Sequence, residues 1–321
     1  MKAMVYDRYG SPDVLTLREV DKPPVADDGV LVRVRAASVN PVDWHTMTGT
    51  PYMARLQAGL RKPKSEFLGV DFAGTVEAVG KSVNGLQPGD DVFGARNGAL
   101  GEYVCARQAV VPKPANITFE EAAAVPVAAV SALQGLRDKG RLQAGQSVVI
   151  NGASGGVGTF AVQIAKALGA EVTAVCSARN VEIARSLGAD HVIDYSKEDF
   201  TRNGRRHNLI LDIAGNRSWS DCRRVLTDNG TLVFVGGPKT NRLIGPLGHC
   251  LKVLIASLPG SRDVKLFLAQ VTREDLTSLG ELLGAGKMKP VIERRYELAD
   301  AAAALRYLGE GHAQGKLVIT V

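Results

Sequence analysis

Ser147-Val148-Val149-Ile150-Asn151-Gly152-Ala153-Ser154-Gly155-Gly156-Val157-Gly158 is the stretch that decides the fold. Three β-branched residues in a row read as a short buried strand, and the run of small residues after it marks a tight turn. Beyond the turn, Val157, Phe160, Ala161 and Ile164 recur at helical spacing, so a helix opens directly from the loop. Strand, small-residue turn and helix in that order form the setting of a dinucleotide fingerprint. Small side chains let backbone N–H groups approach a pyrophosphate at a helix N-terminus. In a G-x-G-x-x-G frame Ala153 stands at the first glycine, Gly155 at the second and Gly158 at the third, with Ser154, Gly156 and Val157 completing the loop.

Working outward, the same alternation continues. Strands are expected at Glu171–Ser177, His191–Tyr195, Leu209–Ile213 and Thr231–Val235, with helices at Val157–Leu168, Val181–Leu187 and Trp219–Leu226. Near-continuous apolar strands such as Leu209-Ile210-Leu211 belong where helices cover both faces of a sheet, which makes this an α/β domain with a doubly wound parallel sheet. Upstream, Val30, Val32 and Val34 alternate on one strand face, and turns recur at Tyr9-Gly10-Ser11-Pro12, Asp27-Asp28-Gly29 and Gln87-Pro88-Gly89-Asp90. Residues 1–120 are therefore expected to form a β-rich, partly barrel-like domain. A helix at Leu276–Leu283, an extended piece at Val291–Tyr296, a helix at Ala299–Leu308 and a strand at Leu317–Val321 follow. These place residues 272–321 back in that first domain, with 121–271 as the dinucleotide-binding domain.

The 321 residues are 45% hydrophobic and 22% charged, ordinary globular usage that excludes disorder and collagen-like repeats. Aromatics at 5% disfavour a base-stacking nucleic-acid module, although the net charge of +6 leaves polyanions or phosphorylated ligands open. Cys105, Cys176, Cys222 and Cys250 lie too far apart for a disulfide framework or a zinc finger. Met1–Asp7 has no apolar leader, and no stretch reaches the length of a membrane span; a cytoplasmic protein is expected. The segment 239–262 is basic and has apolar residues at helical spacing, so it reads as a helix over a cleft or at an interface, or as one lying on a membrane.

The cofactor is chosen at the end of the second strand. NAD-binding domains place a carboxylate there for the ribose 2′-OH. Here Val175-Cys176-Ser177-Ala178-Arg179-Asn180 offers a hydroxyl and a guanidinium instead, with no carboxylate before Glu182, so NADP(H) is expected, with Ser177 and Arg179 on the 2′-phosphate. Ala214, after the fourth strand, and Gly236-Gly237, after the fifth, lie at carboxyl ends of strands, the rim where open sheets bind ligands.

Ala36-Ala37-Ser38-Val39-Asn40-Pro41-Val42-Asp43, Gly69-Val70-Asp71-Phe72-Ala73-Gly74-Thr75-Val76, Pro88-Gly89-Asp90-Asp91-Val92 and the Ala153–Gly158 loop, in this order and spacing, resemble the medium-chain dehydrogenase/reductase superfamily. The resemblance is to its zinc-free quinone oxidoreductase branch and covers essentially the whole chain. It implies a Rossmann domain inserted in a GroES-like catalytic domain, a substrate cleft between them and commonly a homodimer. The zinc-holding branch has a thiolate and a histidine where this sequence has Asn40 and Val70, and Asp71 alone is a poor zinc site. No metal is expected.

Without a Lewis acid, reduction of a quinone or an activated alkene is easier than oxidation of an alcohol, because charge delocalises onto an oxygen that one or two hydrogen-bond donors hold. The resemblance places Asn40 in the cleft, Tyr52 on a cleft loop as proton or hydrogen-bond donor and Tyr195 beside the 2′-phosphate; Lys316, just before the final strand, is expected near the cofactor. Asp43 is read as an orienting residue. The leading expectation is an NADPH-dependent reductase of quinones or α,β-unsaturated carbonyls; the rival is an NADPH-binding sensor or RNA-binding protein without turnover.

Overall fold

Val148, Val149 and Ile150 are fully buried in a six-stranded sheet in which every neighbouring pair is parallel. The computed structural model describes residues 1–236, 247–257, 263–311 and 313–321. The sheet runs His191–Asp194, Glu171–Cys176, Ser147–Asn151, His207–Asp212, Leu226–Phe234, Asp263–Leu266. Numbered along the chain this is 3-2-1-4-5-6, the doubly wound order whose direction reverses between the first and fourth strands. Val149, Val175, Ile193, Ile210, Leu232 and Phe234 face a core closed by Phe200, Trp219 and Cys222. This domain is residues 131–269; residues 1–130 and 270–321 form a second compact unit.

That second unit is built on a seven-stranded sheet. Ile292–Glu297, Lys316–Thr320, Val30–Val39, Asp71–Val79, Asp91–Ala95 and Val110–Pro112 are neighbours in that order, and Tyr103–Ala106 pairs with Val30–Val39. All of its pairings are antiparallel except Ile292–Glu297 with Lys316–Thr320. Val30, Val32, Val34, Phe72, Val92, Leu317 and Ile319 bury their alternating faces in one core with Met47 and Leu305. This is a GroES-like β-rich domain completed by the chain's end. Phe119–Ala123 and Pro126–Leu133 are helices that follow the β-rich stretch, at the boundary expected near residue 120.

Several element boundaries differ from expectation for local reasons. The fifth strand of the parallel sheet begins at Leu226 rather than Thr231. Its register with the fourth slips between His207 and Leu209, so Asn229-Gly230 is absorbed as an irregularity instead of ending the strand. The helix expected from Ala299 is a 3-10 turn at Leu298–Asp300 followed by α-helix Ala301–Glu310, closed by Gly311 in the left-handed region at φ 80°. Pro41–Thr48 is an α-helix with Asn40 as N-cap, Pro41 at its first position and left-handed Gly49 after its last. Of the 239–262 segment only a helix at Leu247–Ser257 is described; the rest, like Gly237, lies outside the described residues. Among the described residues no helix is long and apolar enough to cross a membrane. Cys176 and Cys222 are buried free thiols and Cys105 a half-buried one.

Candidate functional site

The glycine loop follows the first strand of the parallel sheet, at its carboxyl end. Gly152 takes φ +96°, and its N–H and that of Ala153 both donate to Val175 O, at 3.1 and 3.0 Å. The residue needing a left-handed backbone is thus Gly152, while Ala153, placed in the first glycine position by the fingerprint frame, is fully buried behind it. A Cβ on Gly158 would lie 2.1 Å from Gly152 O, so only glycine lets the Gly156–Ala167 helix pack against the turn. A Cβ on Gly155 would meet nothing nearer than Gly152 O at 3.8 Å, which leaves the approach to the loop open. Gly155 caps the helix without a side chain, so the first-turn N–H groups of Gly156, Val157 and Gly158 are left for an acceptor from outside the helix. That is a cradle of the shape and polarity a pyrophosphate needs.

Neighbouring strand ends complete the rim. Asp194 pairs with Cys176, so Ser177 and Tyr195 follow adjacent strand ends, and the Tyr195 N–H donates to Cys176 O at 3.1 Å. The Ser177 hydroxyl accepts from Asn180 Nδ2 at 3.0 Å, which ties down the Ala178–Asn180 turn that carries the exposed Arg179. The Tyr195 ring is 57% exposed. Ile213 and Ala214 donate their N–H groups to Asn151 O, and Gly236 packs so closely on Ile213 that a Cβ would lie 2.6 Å from its carbonyl. Ala153–Gly158, Ser177, Arg179, Tyr195, Ala214 and Gly236 therefore all lie on the carboxyl-end edge of one sheet.

The other candidates lie in the GroES-like unit. Ser38 faces Asp71 across the Val30–Val39 and Asp71–Val79 strands, and Leu317 faces Val39; one step further places Lys316 opposite Asn40. Register thus gathers Ser38, Asn40, Asp71 and Lys316, all buried. Asp71 accepts from Ser38 Oγ at 3.0 Å, from Asn40 Nδ2 at 2.9 Å and from the Val127 N–H at 3.0 Å, and its carboxylate lies 3.5 Å from the Lys316 ammonium. Lys316 Nζ also donates to Asn40 Oδ1. Asp43, one turn into the helix, accepts the Asn40 backbone N–H at 2.7 Å, and its Oδ1 is buried without a hydrogen-bond partner.

Two carboxylates and one ammonium therefore share a buried region. Burial pushes the Asp43 carboxyl up to about 7, with the Asp71 charge adding to the rise and the Asn40 N–H and Lys316 opposing it. Burial likewise raises Asp71 and lowers Lys316, and each charge resists the shift of the other. Sequence reasoning placed Lys316 near the cofactor; the structure sets its ammonium against Asn40 and Asp71. Asp71 was considered only as a metal ligand, although a carboxylate inside the apolar run Val70-Asp71-Phe72-Ala73 already signals a buried partner.

Tyr52 lies apart from this cluster's hydrogen bonds. It opens a 3-10 turn at Tyr52–Ala54, is 44% exposed, and stacks under the Arg55 guanidinium at 4.7 Å, which also covers the Tyr9 ring at 4.5 Å and donates to Gly49 O.

Asn40 and Val70 do not supply the thiolate and imidazole a catalytic zinc takes, and Asp71 spends its oxygens on Ser38, Asn40, Val127 and Lys316. Among the described residues no group of three or more His, Cys, Asp or Glu is placed to hold a metal. The residues do not fit zinc.

Residues 26–115 match the alcohol dehydrogenase GroES-like domain, and residues 187–319 match a family described as zinc-binding dehydrogenase. The chain is 34% identical over 335 residues to 2-methylene-furan-3-one reductase of Solanum lycopersicum, covering 99% of this chain and 79% of that one. It is 32% identical to the chloroplastic NADPH-dependent alkenal/one oxidoreductase of Arabidopsis thaliana, with the same two shares. Escherichia coli quinone oxidoreductase complexed with NADPH superposes with a TM-score of 0.84 over 100% of both chains at 27% identity. The chain belongs to the medium-chain dehydrogenase/reductase superfamily, in its zinc-free quinone oxidoreductase branch.

Proposed function

We propose that the protein reduces quinones or α,β-unsaturated carbonyl compounds with NADPH as the electron donor. The observation that carries this reading is the Asn40 amide, held in a buried polar cluster at the position where the zinc branch has a metal ligand. The relatives named for reduction of a furanone, of alkenals and alkenones, and of quinones point the same way. NADPH, when bound, supplies the hydride.

The chain's own groups do the rest. The first-turn N–H groups of Gly156, Val157 and Gly158 hold the pyrophosphate, with Ala153, Ser154 and Gly155 shaping the turn beneath it. Ser177, Arg179 and Tyr195 take the 2′-phosphate, for which a guanidinium is a better partner than a carboxylate. Ala214 and Gly236 border the rest of the cofactor. The free N–H of Asn40 Nδ2 holds the substrate oxygen on which negative charge develops, and the Tyr52 hydroxyl or solvent returns the proton. Lys316 would keep one ammonium proton, beyond those shared with Asn40 and Asp71, for the bound cofactor.

Loss of NADPH absorbance with a panel of ortho- and para-quinones, enals and enones, run beside NADH, tests this. Turnover that prefers NADPH is expected; tight NADPH binding with no acceptor reduced overturns it. A homodimer belongs to the same reading through the family resemblance, and light scattering measures it. A cytoplasmic location is part of it too, and since the Arabidopsis relative bears a chloroplastic name, cell fractionation decides.

A further inference from the structure

Asn40 is gripped at both ends of its amide by opposite charges. Lys316 donates to Oδ1 and Asp71 Oδ2 accepts from Nδ2 at 2.9 Å. Rotating the amide by half a turn would set its NH2 against the ammonium and its carbonyl against the carboxylate, so charge alone selects one orientation. That orientation uses one Nδ2 proton and leaves the other. The two charges come from strands far apart in sequence and are brought in by register, Asp71 opposite Ser38 and Lys316 next to Leu317, which faces Val39. The carboxylate is itself fixed by Ser38 Oγ and by the Val127 N–H. Each of the four side chains is at most 3% exposed, so water does not compete for these bonds.

We propose that Asp71 and Lys316 are positioning residues: their buried ion pair locks the Asn40 side-chain amide so that its remaining N–H is presented to the substrate oxygen. This rests on the reading that Asn40 touches that oxygen. The pair performs without a metal the orienting task that ligand geometry performs in a metal site, and it does so with an amide that cannot turn.

The test combines a kinetic cycle with a spectroscopic signature. Asp71→Asn is expected to lower kcat for a quinone or enone by about 100-fold, the loss that a misplacement of about 1 Å brings, with KM for NADPH little changed. In the Asn40→Ala background the same substitution is expected to cost less than about twofold, because no amide is left to orient. An equal loss in both backgrounds overturns the proposal.

Removing one buried charge can unfold the domain, so the charge-neutral pair Asp71→Asn with Lys316→Met is made as well. In protein labelled with ¹⁵N-asparagine, the two Asn40 Nδ2 protons, assigned by their loss in Asn40→Ala, are expected to resonate far apart in the wild type and to converge in the paired variant. An unchanged splitting overturns the positioning role whatever the activity. Wild-type turnover by Asn40→Ala overturns instead the reading that Asn40 touches substrate, and the amide spectrum still decides whether the ion pair orients it.

Discussion

Asn151 Nδ2 donates to Asp212 Oδ1 at 2.8 Å, joining the carboxyl ends of the first and fourth strands of the parallel sheet. These are the neighbours between which the strand order reverses, and the crevice there is where such sheets bind ligands. Asp212 Oδ1 also accepts the Gly215 N–H at 2.8 Å, and Asn151 Nδ2 reaches Asn216 Oδ1 at 3.0 Å, so one amide and one carboxylate hold the loop after the fourth strand against the glycine turn. Asn151→Ala takes one donor from the buried Asp212 carboxylate and is expected to destabilise the domain by about 1–3 kcal/mol and to weaken NADPH binding. Thermal melting and cofactor fluorescence titration measure both; a loss of stability with unchanged affinity would separate the clamp from the cofactor site.

Gly158 has no tolerance for a side chain. A methyl group there would lie 2.1 Å from Gly152 O and 2.6 Å from Ala153 C, both backbone atoms that cannot step aside. Gly158→Ala is therefore expected to push the helix start off the turn, with a stability cost of about 1–3 kcal/mol and a larger proportional loss in NADPH affinity. Gly155→Ala, in open space, is expected to keep the fold and lose affinity alone. The two variants, compared by melting and by titration, distinguish a loop that shapes the fold from one that also admits a phosphate.

Arg179 sits on the short turn after the second strand, where Ser177 and Asn180 brace each other at 3.0 Å. Arg179→Ala is expected to raise the NADPH dissociation constant by about tenfold or more, the worth of a charge-assisted hydrogen bond, and to leave NADH unaffected. The NADPH advantage should also shrink with added salt. An unchanged NADPH-to-NADH ratio removes Arg179 from cofactor choice.

What was legible in the sequence was local. Val148-Val149-Ile150 followed by small residues announced strand, turn and helix because each signal lies within one element, and the alternation to Leu232 gave the doubly wound sheet. The Asn40 cluster was half legible. Asn40 was picked out, but its partners Asp71 and Lys316 are 31 and 276 residues away and meet it only through strand register, which periodicity does not encode over such distances. The Pro41–Thr48 helix had a signal in Pro41 at its first position and Gly49 after its last, but it sits inside a stretch whose alternation reads as β-rich. Fixing Gly152 rather than Ala153 as the left-handed residue required the backbone itself.

His207 is 3% exposed, and among the described residues neither ring nitrogen has a hydrogen-bond partner. Burial pushes its pKa down from 6.5 to about 4, against the pull of Glu171. The unfolded chain takes up a proton below 6.5 that the folded chain refuses until about 4, so folding stability falls as pH drops through that window, by about 3 kcal/mol in all. His207→Leu is expected to flatten the acid limb of stability in the parallel-sheet domain, read as the denaturant midpoint at pH 7 and pH 4. A variant as acid-sensitive as the wild type would place the sensitivity elsewhere.

Asp43 gives the opposite slope in the other unit. Its folded pKa of about 7 lies above the ordinary aspartate value of 3.8, so between those values the folded state holds a proton the unfolded chain has lost. Stability therefore falls as pH rises from about 4 to about 7 and is level above that, an effect on the order of 4 kcal/mol. Burial sets most of the rise; of the neighbours, the Asn40 N–H and Lys316 lower the pKa and Asp71 raises it, while Tyr6, pushed up to about 12 chiefly by its own burial, feels the Asp43 charge. Asp43→Asn keeps an oxygen for the Asn40 N–H and has no proton to lose. It is expected to make the GroES-like unit more stable than wild type at pH 8 and no more stable at pH 4. Equal gains for Asp43→Asn at both pH values would show that it relieves packing rather than a buried charge.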